Sequence, residues 1–126
     1  MADETQGVPS PPADWASRLL IFWFDDHGID DWYGGGPTFD EAVRDLAGDW
    51  HDALRALPAD HFLTDPDTAL AAVILFDQVP RNIYRDHADA FATDDLARAI
   101  ARGIVVRGWD RSLPEIRRPF AYLPFE

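Results

Sequence analysis

The sequence predicts an all-α domain, and three observations carry that prediction. Eight apolar residues run unbroken from Ala69 to Phe76, and their alanine content and the length of the segment favour a buried helix over a strand. Phe39, Val43, Leu46, Trp50 and Leu54 recur at spacings of three or four, the period of one helical face. Helix-start signals punctuate the chain, whereas no strand, hairpin or fixed-period repeat is strong. About five helices are expected from these patterns.

Taken in order, Met1 to Pro12 is polar and proline-rich and reads as a disordered lead-in, so that residues 1–13 precede a single domain at 14–126. Asp14 is a suitable cap for a helix over Trp15 to Phe24, which presents Leu19, Leu20, Trp23 and Phe24 on a broad apolar face. Ile29 to Pro37 reads as a flexible glycine-rich loop; no strand precedes it and no lysine follows, so a phosphate cradle has little support. Trp32 and Tyr33 are the aromatic pair expected to be exposed. Thr38 and Glu41 form the pattern of a capping box opening a helix to Leu57, which Pro58 ends. Asp65-Pro66 starts the central helix, expected to run to Val79. Pro80 withdraws a backbone donor from the Phe76 carbonyl, so the helix ends or kinks there, with one further turn over Arg81 to Arg85. Thr93 is placed to cap a helix over Asp94 to Arg107, with Gly108 after its end. Ser112 to Glu115 repeats the capping-box pattern and opens a short helix to Arg118.

The chain of 126 residues suggests one domain, and its 47% apolar content is enough for a core. Its 19 Asp and 4 Glu against 11 Arg give a net charge of −12, which disfavours nucleic acid and anionic membrane surfaces as partners. The absence of lysine excludes Schiff-base chemistry and a Walker-type loop, and the absence of cysteine excludes disulfides and thiolate nucleophiles. The acidic N-terminus is unlike a signal peptide and no apolar run is long enough to span a bilayer, so a cytoplasmic location is expected.

Four motifs resemble the bacterial family called domain of unknown function 924: FWF at Phe22 to Phe24, LAAVILFDQVPRN at Leu70 to Asn82, AFATD at Ala90 to Asp94, and YLPFE at Tyr122 to Glu126. The resemblance covers nearly everything after Asp14. It implies an all-α fold similar to a tetratricopeptide-type α/α superhelix, and it implies no activity. Val79 stands where members usually carry Phe. Members also continue into a His-Ser-Glu motif beyond the point where this sequence ends, so the chain resembles a truncated member.

The candidate ligand-binding residues are Asp77, Gln78, Arg81, Asn82, Arg85 and Asp94. Asp77 and Arg81 are four apart, so their side chains meet on a helix. Gln78 or Asn82 is placed to supply the donor that the Phe76 carbonyl lacks. In the architectural reading these residues rebuild hydrogen bonding around the kink. In the binding reading Arg81 and Arg85 hold a carboxylate or phosphate by bidentate contacts. Capping explains Thr93 and Asp94, and a pairing of Asp94 with Arg81 or Arg85 is the alternative.

His27, His51, His61 and His87 lack zinc-helix spacing, the Asp25, Asp26, Asp30, Asp31 set lacks the order of a calcium loop, and no Ser or Thr has a nearby His base. No metal and no cofactor is therefore expected.

Three functional expectations follow. The first is a non-enzymatic module whose concave face, with Arg81, Asn82, Arg85 and Trp32, binds a protein segment or a small anionic ligand. The second is an enzyme or sensor for a small anionic metabolite with Asp77 as acid, base or orienter. The third is a chain lacking part of its core, exposing Phe120, Tyr122, Leu123 and Phe125 and prone to self-association through that C-terminal apolar segment.

Overall fold

A computed structural model describes residues 10–126. The described residues form seven α-helices: α1 (Trp15–Leu20), α2 (Ile29–Gly34), α3 (Gly36–Leu54), α4 (Pro66–Val73), α5 (Val79–Ile83), α6 (Asp94–Val106) and α7 (Arg118–Tyr122). Short 3-10 turns join several of them, and no strand occurs among the described residues. The all-α expectation holds. The expected lead-in falls mostly outside the described residues; by Pro12 the chain is already tied down, its carbonyl accepting from the Trp15 amide at 3.1 Å.

The centre is a rod made of α4, a π-helical turn at Ile74–Gln78, and α5. Every residue from Ala69 to Phe76 is at most 1% exposed. A segment apolar on all sides must be covered on all sides. Helices α1 and α6 pack on α4, α7 adds a further contact there, and α3 packs on α5. The Asp65 signal acts as read: its carboxylate accepts from the Thr68 amide at 2.8 Å and the Thr68 hydroxyl at 2.8 Å. Gly108, at φ +72°, follows the end of α6 as expected.

The rod runs on through Pro80 into α5, and the disturbance lies in the turn before it. In the π-turn before it the Val79 amide bonds to the Ile74 carbonyl, one residue further back than in an α-helix. The Trp15 to Phe24 helix changes register in the same way, α1 giving way to a π-turn at Ile21–Asp25 that the Asp26 amide closes onto the Ile21 carbonyl at 2.9 Å.

Several local expectations are corrected. The glycine-rich loop is largely helical. The Gly28 amide donates to Asp31 Oδ2 at 3.2 Å at the start of α2, and the Trp32 indole N–H donates to the Trp23 carbonyl at 2.9 Å. The Trp32 ring stacks on Trp23 at 6.1 Å between centroids and meets Phe120 edge-on at 5.0 Å. This aromatic packing overrides the low helix propensity of the segment. Trp32 is consequently half-buried, while Tyr33 is 71% exposed.

Helix α3 begins at Gly36, with Pro37 in its first turn, so Thr38 is inside the helix and makes no cap. Gly36 is at φ +65°, and a Cβ at Gly35 would lie 2.6 Å from both the Asp31 carbonyl and the Phe39 Cβ. These two glycines let α2 turn directly into α3. The Ser112 capping box is not formed either: Trp109–Ser112 is a 3-10 turn and the last helix starts at Arg118. Phe120, expected at an exposed apolar end, is 3% exposed because it fills the space between Trp23, Phe24 and Trp32. Tyr122 and Phe125 are exposed as expected, at 37% and 46%.

No helix among the described residues is long and apolar enough to cross a membrane.

Candidate functional site

The orphan carbonyl of Phe76 is the starting point of the site. Neither Gln78 nor Asn82 reaches it. Thr93 does: its hydroxyl donates to the Phe76 carbonyl at 2.7 Å. Thr93 therefore makes no side-chain cap on α6, although it occupies the N-cap position. A buried carbonyl without a partner costs more than a surface cap returns, so the hydroxyl goes to the carbonyl.

The Thr93 oxygen, having given its proton to Phe76, accepts from His51 Nε2 at 3.2 Å. That fixes the neutral His51 as its Nε2–H tautomer. His51 is wholly buried, and its Nδ1 has no hydrogen-bond partner; the nearest carboxylate oxygen, on Asp52, is 3.8 Å away. Burial, with Arg55 adding to it, holds the His51 pKa below its ordinary 6.5.

The predicted polar cluster divides into two groups. In the first, Arg81 donates to the Asp77 backbone carbonyl and lies 3.3 Å from Asp77 Oδ1. The same guanidinium approaches Asp94 at 3.4 and 3.5 Å, so it ties the rod to the start of α6. Gln78 Nε2 donates to Asp77 Oδ2 at 2.6 Å. Burial pushes the Asp77 carboxyl above the usual carboxylate range, against the opposing pull of Gln78 and Arg81.

In the second group Asn82 and Arg85 turn away from Asp77 and converge on Asp40, a residue outside the sequence motifs. Arg85 grips Asp40 with two parallel bonds, Nε to Oδ2 at 2.7 Å and Nη2 to Oδ1 at 2.8 Å. Asn82 Nδ2 adds a bond to Oδ1 at 2.9 Å. The Arg85 bond holds the Asp40 carboxyl below the usual range despite its burial. A signal for Asp40 does exist: Asp40, Val43, Ala47, His51 and Leu54 fall at spacings of three or four along the buried stripe of α3. Two polar residues inside an apolar stripe mark buried partners, and both Asp40 and His51 are such residues.

Both arginines border one open groove of about 480 Å³, lined also by Asp86, His87, Ala88, Ala90 and Phe91. Phe91 is 59% exposed, and the Arg81 guanidinium lies 5.2 Å from its ring centre. Arg85 also borders a second groove of about 330 Å³ with Asp40, Trp32, Tyr33 and the Gly34–Gly36 segment. Asn82, expected on the concave face, is instead buried beneath it at 8% exposure. Asp77 lines neither groove; its side chain is 5% exposed behind Arg81. Among the described residues no three histidine or carboxylate side chains gather in metal-binding geometry.

The chain belongs to a family described as bacterial protein of unknown function (DUF924), which matches residues 19–126. It is similar to a solved structure of a protein of unknown function, ATU0120 from Agrobacterium tumefaciens, with a TM-score of 0.83 and 37% identity. That match covers 90% of this chain and 64% of the other, so this chain spans less than two-thirds of that protein's length. No curated protein is significantly similar to it.

Two predictions follow from the Thr93 bridge. Thr93→Val keeps the shape but removes the hydroxyl, leaving the Phe76 carbonyl and His51 Nε2 unpaired; it should cost about 1–3 kcal/mol in urea unfolding. Thr93→Ser, which retains the hydroxyl, should cost less than about 1 kcal/mol, and equal losses would refute the bridge.

The second concerns pH. A depressed histidine pKa means that below 6.5 the unfolded chain binds the proton more readily than the folded one. Stability should therefore fall as pH is lowered from about 7.5 to about 5.5, and by less in His51→Gln. An equal fall in both proteins would show that His51 is not responsible.

Proposed function

We propose that this member of the family is a binding module that holds a small anionic group, free or carried on a protein segment, in the groove bordered by Arg81 and Arg85. The observation that supports it is the bracing of both guanidinium groups by carboxylates. Asp40 fixes Arg85 through two bonds, and Asp77 and Asp94 flank Arg81. Among the described residues, Arg85 Nη1 and Arg81 Nε meet no acceptor. An arginine whose rotamer is already fixed loses less entropy when it binds a ligand.

The same pairing limits the site. Each arginine has a carboxylate partner, so the groove offers directed N–H donors rather than a strongly positive field. In a chain of net charge −12, that arrangement suits a small anion and not a polyanion. The covered position of Asp77 favours binding over acid–base catalysis, because its carboxyl does not reach the groove.

Inorganic phosphate, titrated at constant ionic strength, should raise the melting temperature. At ten times its Kd the stabilisation amounts to about 1.4 kcal/mol. Arg81→Gln and Arg85→Lys should each weaken that response, the second because a lysine keeps the charge but loses the fork. A melting temperature unmoved by phosphate in the wild-type protein would contradict the proposal.

A further inference from the structure

The two grooves share Arg85 as a wall, so they lie side by side as two arms divided by its side chain. The arms differ in character. One carries Arg81, His87 and Phe91. The other, about 330 Å³, is walled by Trp32, Tyr33, the three glycines and Pro37, with the Asp40 carboxylate beside Arg85.

The second arm is walled by an exposed aromatic ring and by bare backbone. Tyr33 is 71% exposed, and positions 34 and 36 present bare backbone: a Cβ at either would meet nothing within 4 Å. The neighbouring Trp32 is held rigid by its bond to the Trp23 carbonyl and by stacking on that ring. A flat group can therefore approach the backbone closely and lie beside an aromatic side chain. The volume lies within the range of small-molecule sites. Asp40 disfavours a second anion in this arm, because its carboxyl is held ionised by Arg85 and can only accept hydrogen bonds.

We infer that the cleft takes an aromatic anion, its uncharged ring in the glycine arm beside Tyr33 and its single anionic group at Arg85. This rests on the anion-binding reading above and adds the class of ligand. The anionic group, a carboxylate or a phosphate, meets the outer N–H groups of Arg85. The ring displaces water from Tyr33 and from the bare backbone of Gly34 and Gly36.

The test compares phenyl phosphate with inorganic phosphate by isothermal titration calorimetry at one ionic strength. Phenyl phosphate should bind roughly three- to tenfold more tightly, the gain expected of one aromatic contact. Tyr33→Ala should abolish that gain and leave the affinity for inorganic phosphate unchanged; Tyr33 is exposed, so the variant is expected to fold. Tyr33→Phe should retain the gain. Equal affinity for the two probes in the wild-type protein, or a gain that survives Tyr33→Ala, would overturn the ring-binding arm while leaving the anion site standing. Failure of both probes to bind would overturn the anion site and this inference with it. A carboxylate arm, benzoate against acetate, assigns the preferred anionic group within the same class.

Discussion

One backbone carbonyl organises this molecule. The rod is covered on every side from Ala69 to Phe76, and Pro80 denies the Phe76 carbonyl its helical donor at the end of that buried stretch. A carbonyl in that position must be paired, because water cannot reach it. The hydroxyl of Thr93 pairs it, and His51 pairs Thr93 in turn. Three elements are thereby tied at one atom: the rod, the start of α6, and α3. The tie also sets register. Asp94 is the residue after Thr93, so docking the hydroxyl on Phe76 brings the Asp94 carboxylate to Arg81. The π-turn before Pro80 contributes on the other side, leaving Asp77 buried and Arg81 on the same helical face four residues later.

The charges around this junction follow from burial. Exposed ion pairs contribute little, and Arg81 and Arg85 keep 37% and 55% of their side-chain surface open. Their pairing with carboxylates gives orientation more than stability. Arg85 on Asp40 has the planar two-bond geometry that fixes a guanidinium, and Asn82 holds the same carboxylate from beneath. The donors that Arg85 presents at the groove are thereby oriented by the fold itself. Asp40 and Asp77 respond to their settings in opposite senses: Arg85 keeps the first ionised, while burial pushes the second towards its neutral form.

Much of this architecture was legible in the sequence. The apolar run from Ala69, the Asp65 cap and the glycine after α6 are local signals, and each describes the element it marks; Pro80 marks a change of register in the rod and not its end. The helix at Ile29–Gly34 was not legible, because its stability comes from Trp32 packing on Trp23 and Phe120, which are far apart in the chain. Thr93 shows the same limit. Its position before Asp94 reads as a cap, yet a carbonyl 17 residues earlier takes its hydroxyl. The sequence motif groups the six candidate residues together, but their division into two groups was not legible, since the partner that draws Asn82 and Arg85 away is Asp40 on another helix. The polar interruptions of the α3 stripe, Asp40 and His51, were the available clue.

The proposed anion site requires Arg85 to be held in place before anything binds, and side-chain NMR tests that most directly. In the ligand-free protein at neutral pH, the Arg85 Nε–H should give a resolved signal that exchanges slowly with solvent, because it is bonded to Asp40. Asp40→Asn should return it to the fast-exchanging envelope of the other surface arginines. An Arg85 signal already within that envelope in the wild-type protein would mean that the guanidinium is free, and that the cleft is not built in advance.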